Sequence, residues 1–296
     1  MKKILIIGAS NIDYFGMTDK AIIKKDSNIG TIKVSFGGVG RNICENLARL
    51  GANVTFITAI GNDELSKSMA TALKELGVEI MAPEGIEFSS SYMAIHDSTG
   101  DMIFAINDMK AINKIDVEYL KSQHGLINQF DYVVCDGNLS EESISYIFDK
   151  YRDKRILVDG ISTTKVMKFK DYLANIYLLK CNIYEAQALV GKKLHGNELL
   201  SQLMHKGCKT VVVTDGVNDI YFSDGLQIFK STVTPVKDIV NATGAGDSMF
   251  AGMVYKLIQE IDIQEAVEFG KEVSTVTLKS PKAVSEDVNA LGIKNK

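Results

Sequence analysis

Hydrophobic and polar positions along the chain follow two different rhythms. The first is a series of short, almost wholly apolar runs at residues 3–8, 131–136, 155–159, 175–180 and 209–214. Runs of this kind, bounded by polar residues and too short for a helix, predict strands buried on both faces. Between and after the later runs, apolar residues recur at helical spacing at residues 141–151, 165–173, 184–189 and 198–205. Apolar strands alternating with helices predict a mostly parallel sheet covered on both sides, a three-layer α/β/α architecture. Two further short runs, 219–223 and 226–231, predict another strand pair, and helices at residues 246–259 and 263–279 close the chain.

The second rhythm lacks intervening helices. Residues 21–36 hold two β-branched runs, AIIKK and TIKVSF, split by SNIG, while SSYMAIH and DMIFAIN flank the turn STGD. Together they predict a small antiparallel β-sheet made from insertions at about 12–36 and 89–108, set as a lid over the ends of the main strands. Between the insertions, residues 38–50 predict a helix with Ile43, Leu47 and Leu50 on one face and Gly51 as its stop. Residues 1–296 then read as one domain.

Composition narrows the function. With 296 residues, 46% of them hydrophobic and 24% charged, the chain can bury one large core with a small appendage. A formal charge of -4 argues against a nucleic-acid surface, which needs clustered Lys and Arg, so a small molecule is the expected partner. Cys44, Cys135, Cys181 and Cys208 are far apart with no C-x-x-C pair, and read as reduced thiols of a cytoplasmic protein. The start, MKKILIIGAS, has an apolar run too short for a signal peptide or a membrane span.

Candidate chemistry gathers where strands end. The first run delivers Asn11 and Asp13; later runs deliver Asp136 and Asn138, Asp159, Asn182 and Glu185, and Thr214. One polar strand end means little, but five converging on one edge of an open α/β sheet imply a ligand site. Asp136 reads equally well as a residue that merely precedes the helix capped by Ser140. The G-x-G-x-x-G fingerprint of dinucleotide binding is absent from the first strand end and fails in GGVGRN, where Ile43 occupies its last position.

The strongest local signal is NATGAGD at residues 241–247, followed by Met249, Phe250, Met253, Val254, Leu257, Ile258 and Ile261 at helical spacing. A glycine turn opening a helix leaves N–H groups uncovered and can receive a phosphate. Asp247 is the only carboxylate of that turn. It could accept the proton of a hydroxyl attacking phosphorus, or simply complement the helix dipole.

NATGAGD with its apolar helix, GGVGRN upstream, Asn182 and Glu185 of NIYE, and the VVVTDG strand end together resemble the ribokinase, or PfkB, family of small-molecule kinases. The resemblance covers nearly the whole chain in order and implies a ribokinase-like fold with a β-sheet lid. It further implies Asp247 as catalytic base, Gly244, Ala245 and Gly246 as anion hole, and Asn182 and Glu185 as organisers of Mg2+. Thr214 and Gly216 are implied to meet ATP, and Asp13, Gly38 and Asn42 the ribose hydroxyls. Asn28 of SNIG, Arg41 of GGVGRN, YMAIHDSTGDMIFAINDM and VDGISTTK resemble the pseudouridine kinase branch, which implies phosphorylation of a nucleoside 5′-hydroxyl. Ribose, another nucleoside or a sugar acid are the alternative substrates, and a binding protein without turnover is the alternative outside catalysis. A homodimer pairing lid to lid is also implied. The chain departs from its relatives at Cys181 and Ile29, which stand where proline is usual, and at Gly160. It departs again at Asn241, which stands where many relatives carry aspartate and so bears on the family's monovalent-cation (K+) site.

Overall fold

The structure, a computed structural model, describes residues 3–294, so the first two residues of the start MKKILIIGAS lie outside it. In chain order the strands are β1 (Lys3–Ile7), β2 (Asn11–Thr18), β3 (Gly30–Gly37), β4 (Asn53–Ile57), β5 (Glu79–Met81), β6 (Ser90–His96), β7 (Met102–Asp108), β8 (Tyr132–Cys135), β9 (Arg155–Asp159), β10 (Ile176–Asn182), β11 (Thr210–Thr214), β12 (Ile220–Asp224) and β13 (Ile228–Ser231). Nine of them form the main sheet, in the order β13-β12-β11-β10-β9-β8-β1-β4-β5. Every pairing from β11 to β5 is parallel, and β12 with β13 adds an antiparallel edge.

Because successive side chains of a strand point to opposite faces, β1 feeds two cores: Leu5 and Ile7 pack into one, Ile4 and Ile6 into the other. The chain leaves β1 toward β4 on one side and returns as β8 on the other. That reversal opens a crevice beyond the carboxyl ends of β1 and β8, where open α/β sheets take ligands. Asn11 and Asp136 stand at its two lips.

The lid is a four-stranded sheet, β3-β2-β6-β7. Residues 21–25, read above as a strand, are instead a loop, and the strand that pairs with β3 begins at Asn11. Tertiary pairing decides this: Asn11–Thr18 finds partners on both sides, β3 and β6, whereas the AIIKK run finds none. The helix expected at residues 165–173 is broken into short turns at Thr163–Val166, Met167–Phe169 and Leu173–Asn175. β4, the helix Glu64–Glu75 and β5 fill a stretch in which the sequence patterns indicate no element.

The glycine turn is fixed from behind. Residues 248–257 of the helix Ala245–Leu257 are all buried. Met249, Phe250, Met253, Val254 and Leu257 together contribute on the order of 10 kcal/mol by burial. This exceeds by far the ~1 kcal/mol at stake in one unusual turn residue, so packing dictates where the turn sits. Gly252 lets the helix Ile263–Leu278 approach closely: a Cβ there would lie 2.9 Å from the Cα of Gly270.

Candidate active site

Gly244 caps the helix with φ of 81°, and a Cβ on it would lie 2.0 Å from the carbonyl oxygen of Ala283. Conformation and contact both demand glycine here. The N–H of Ala245 is directed to the Ala242 carbonyl at 3.3 Å, and Ser248 N–H begins the helical ladder by donating to Gly244 at 2.9 Å. The N–H groups of Gly246 and Asp247, which helical geometry leaves without an intrahelical acceptor, are therefore the turn's available donors. Ala245, expected among the anion-hole residues, shapes the turn with its N–H.

Asp247 is the third residue of the helix, in its first turn and half-buried. Its Oδ2 accepts the amide Nδ2 of Asn42 at 2.7 Å. Burial and the charge of Asp159 push its carboxyl up to about 7, against the Asn42 hydrogen bond and the Lys180 charge. A carboxylate poised near neutrality can both take and release a proton, the property a general base needs.

Lys180, which the sequence patterns do not single out, is central to the site. It lies on β10, 6% exposed, with its Nζ 2.9 Å from Asp159 Oδ2. Burial presses its ammonium downward, but Asp159, Asp247 and Glu185 outweigh this and hold it above its ordinary value. A Cβ placed on Gly246 would lie 2.9 Å from that Nζ, so the ammonium faces the glycine turn. The available signal was a lone charged residue in an otherwise apolar buried strand, where a charge needs partners.

The other candidates divide. Asn11 and Asp13 lie on β2 at the mouth of the crevice; Asn11 Oδ1 is buried and unpartnered, and burial pushes Asp13 up to about 6 against the pull of Arg41. Gly38 caps the helix Val39–Arg49, which carries Arg41 and Asn42, both buried. Arg41 is directed to Asn42 and Glu45. Asp136 is occupied in full: it accepts Ala9 N–H at 2.8 Å, Gly40 N–H at 3.2 Å, and the backbone and side-chain N–H groups of Asn138, each at 2.8 Å. It knots the segment after β1, the Asn42 helix and the loop after β8. Asn138 lines a 390 Å³ hollow with Asn107 and Asp108 of β7. Asn28 does not reach the crevice; at the far end of the β2–β3 hairpin, its amide bonds to Ile23 and Asp26 and closes the lid's tip.

Asn182 and Glu185 form a reciprocal cap at the start of the helix Ile183–Val190. Both Glu185 oxygens accept from Asn182, at 2.8 and 2.6 Å. Burial raises the Glu185 carboxyl, with the Asn182 backbone hydrogen bond opposing it. Among the described residues no three acidic, His or Cys side chains group into a metal cage. The side-chain oxygens of Asn182 and Glu185 are hard donors of the kind that suits Mg2+, which keeps several waters and is carried mainly by phosphate oxygens. The Asn241 side chain, by contrast, is engaged on both sides. Asn241 Oδ1 accepts Thr243 N–H at 2.9 Å, and its Nδ2 therefore faces the Pro281 carbonyl at 3.3 Å, presenting a donor where a cation would want an oxygen. Thr214 ends β11, and Gly216 (φ 59°) follows with open space where a Cβ would point.

A phosphate-receptive turn, a near-neutral carboxylate and a buried cation meeting at one crevice suit transfer of a phosphoryl group to an alcohol, the chemistry of small-molecule kinases. Comparison with known proteins agrees. The pfkB family carbohydrate kinase pattern matches residues 1–289, and the chain belongs to that family. It is similar to the pseudouridine kinase of Escherichia coli K12, 37% identical over 284 residues that cover 93% of this chain and 90% of that one. The guanosine-inosine kinase of Exiguobacterium acetylicum is 26% identical over 95% of each chain. A carbohydrate kinase structure from Agrobacterium tumefaciens superposes with a TM-score of 0.85 at 29% identity, covering 99% of this chain and 97% of that one. The ribokinase of Thermotoga maritima, at 20% identity, shares the fold with a TM-score of 0.85 over 100% of both chains. No helix among the described residues is long and apolar enough to cross a membrane.

Proposed function

We infer that the chain is a magnesium- and ATP-dependent pseudouridine kinase, transferring a phosphoryl group to the 5′-hydroxyl and releasing pseudouridine 5′-phosphate. The observation that carries the reading is Asp247, held near neutrality in the first turn of a helix whose free N–H groups it shares. Its carboxylate takes the proton of the 5′-hydroxyl as that oxygen attacks phosphorus. The N–H groups of Gly246 and Asp247, with the Lys180 ammonium, stabilise charge growing on the transferred group. Asn182 and Glu185 would hold Mg2+, which would offset phosphate charge when bound. Asn11, Asp13, Gly38 and Asn42 receive the ribose, Asn138 borders it, and Thr214 with Gly216 borders ATP. The reaction calls for no added K+.

The lid supports a nucleoside. Register puts Phe15, Tyr92 and His96 on the same face as Asp13. Phe15 lies 6.5 Å from Tyr92 and 6.4 Å from His96, ring centre to ring centre, an aromatic group able to meet a nucleobase. The 37% identity to a pseudouridine kinase then favours pseudouridine among nucleosides. On the opposite face, Ile32, Val34, Met93, Phe104 and Ile106 are exposed. A second copy docking there would bury them, and we take the enzyme to be a homodimer in the cytoplasm.

ADP release across pseudouridine, uridine, cytidine, adenosine, ribose and 2-keto-3-deoxygluconate tests the substrate. Preference for pseudouridine is expected; faster turnover of another acceptor overturns the substrate while leaving the kinase class standing. Sedimentation of the native chain and of Val34→Asp/Ile106→Asp tests the dimer, with a native monomer excluding it.

A further inference from the structure

Asn42 holds the proposed base, and something must hold Asn42. An asparagine amide can offer a carboxylate either its NH2 or, turned by 180°, its oxygen; only the first is attractive. The nearest group that breaks this symmetry is Arg41, 5% exposed in the helix Val39–Arg49. Its Nη2 donates to Asn42 Oδ1 and its Nη1 to Glu45 Oε2. A guanidinium has donors and no acceptor, so the bond commits Asn42 Oδ1 to arginine and sends Nδ2 to Asp247. Arg41 is itself fixed: Glu45 is anchored from its other side by Arg49, at 2.9 and 2.8 Å, and the Arg41 N–H donates to Ala9 at 3.0 Å.

We propose that Arg41 is a positioning residue for catalysis, which sets the orientation of the Asn42 amide and through it commits Oδ2 of Asp247, leaving Oδ1 for the substrate hydroxyl. Among the described residues no hydrogen bond reaches that Oδ1. The inference rests on the reading of Asp247 as base. Resemblance alone assigned Arg41 to the substrate; its bonds to Asn42 and Glu45 give it this indirect role.

The charges around Asp247 come from four other segments. Asp159 ends β9 and Lys180 lies on β10, with Glu185 beyond it; Asp136 follows β8. On its other side Arg41 faces Asp13 of β2, whose carboxyl it pulls down. Loss of Arg41 therefore reaches both carboxylates, and the readout must separate them. Asp13 bears on substrate binding and shows in KM; Asp247 bears on the chemical step and shows in kcat at saturation.

The test is the pH dependence of kcat between pH 5.5 and 9.5, from ADP release at saturating ATP, Mg2+ and nucleoside. Arg41→Met removes the donor and lets the amide turn its oxygen on Asp247, so the acid limb moves upward. A displacement of about one unit lowers kcat about fivefold at pH 7 and less than twofold at pH 9. Arg41→Lys keeps a cationic donor and returns the limb toward native. Glu45→Gln, which loosens Arg41 without removing it, moves the limb the same way by less, and carries the test if Arg41→Met does not fold. In an Asp247→Asn background Arg41→Met has no further effect on kcat, because the group it serves is gone. A uniform loss across the pH range, a change in KM alone, or an additive loss in the Asp247→Asn background overturns the proposal. Loss of all activity in Asp247→Asn with an unmoved limb in Arg41→Met would sink it and leave the base assignment standing. Full activity in Asp247→Asn would remove the base assignment itself.

Discussion

Replacing Lys180 by Met isolates the buried cation behind the glycine turn. The stem keeps its length and apolar contacts, so the change is one of charge. In the native protein Nζ lies 2.9 and 3.3 Å from the two oxygens of Asp159, with side-chain exposures of 7% and 5%. Removing one partner of a pair this buried costs about 3–5 kcal/mol, because the remaining charge stays out of water without compensation. Asp159, Asp247 and Glu185 would then be three carboxylates with their shared cation gone. For a protein whose net stability is of the order of 5–15 kcal/mol this is a large fraction. Asp159→Asn in the same molecule removes the stranded charge and should return at least about 2 kcal/mol, a coupling expected only of residues in contact. Urea midpoints of native, single and double variants measure it, and ADP release on the same samples should stay low in the double variant, since the cation facing Gly246 is still absent. Lys180→Met within about 1 kcal/mol of native, or a double variant no more stable than the single, would refute the pair's role.

Other consequences are equally direct. Gly244→Ala puts a Cβ where the Ala283 carbonyl stands 2.0 Å away and demands φ of 81° from alanine, so turnover should fall by at least about tenfold with a lower melting temperature; a native-like variant would mean the turn is not fixed as described. Turnover should be the same in tetramethylammonium and potassium buffers, and Asn241→Asp, which removes the donor facing Pro281, should introduce a cation requirement; native dependence on K+ would contradict the Asn241 assignment. The native acid limb follows from Asp247: a base works charged, its carboxyl lies at about 7, and kcat should therefore rise with pH up to about 7 and level above it. A limb near pH 4 would mean the Asp247 carboxyl is not raised.

The strand–helix alternation was legible because each buried strand is nearly all apolar, and β1, β8, β9, β10 and β11 fall where the runs fall. The glycine turn was legible because small residues before an apolar helix have few other uses. What escaped is informative. β2 begins at Asn11 since pairing on both sides overrides a weak local pattern, while AIIKK has β propensity and no partner. Asp136 has the residue type and position of a ligand contact, yet its four acceptor bonds hold three segments together, a role visible only once those segments meet. Lys180 was hidden for the opposite reason: inside an apolar run it looks like the end of a strand, and its partners Asp159 and Asp247 lie 21 and 67 positions away along the chain (180 − 159 and 247 − 180).

Single-turnover phosphorylation of pseudouridine by native enzyme and by Asp247→Asn tests the central claim most directly, with nucleoside binding and thermal unfolding measured on both. Asparagine keeps the acceptor for Asn42 and removes a carboxylate that Asp159 repels, so folding and binding should persist. Pseudouridine 5′-phosphate should form in the native reaction, and its rate should fall by about two to four orders of magnitude in the variant. A variant that forms it within tenfold of the native rate would contradict Asp247 as the base, and a folded native enzyme that binds pseudouridine without phosphorylating it would contradict the proposed reaction.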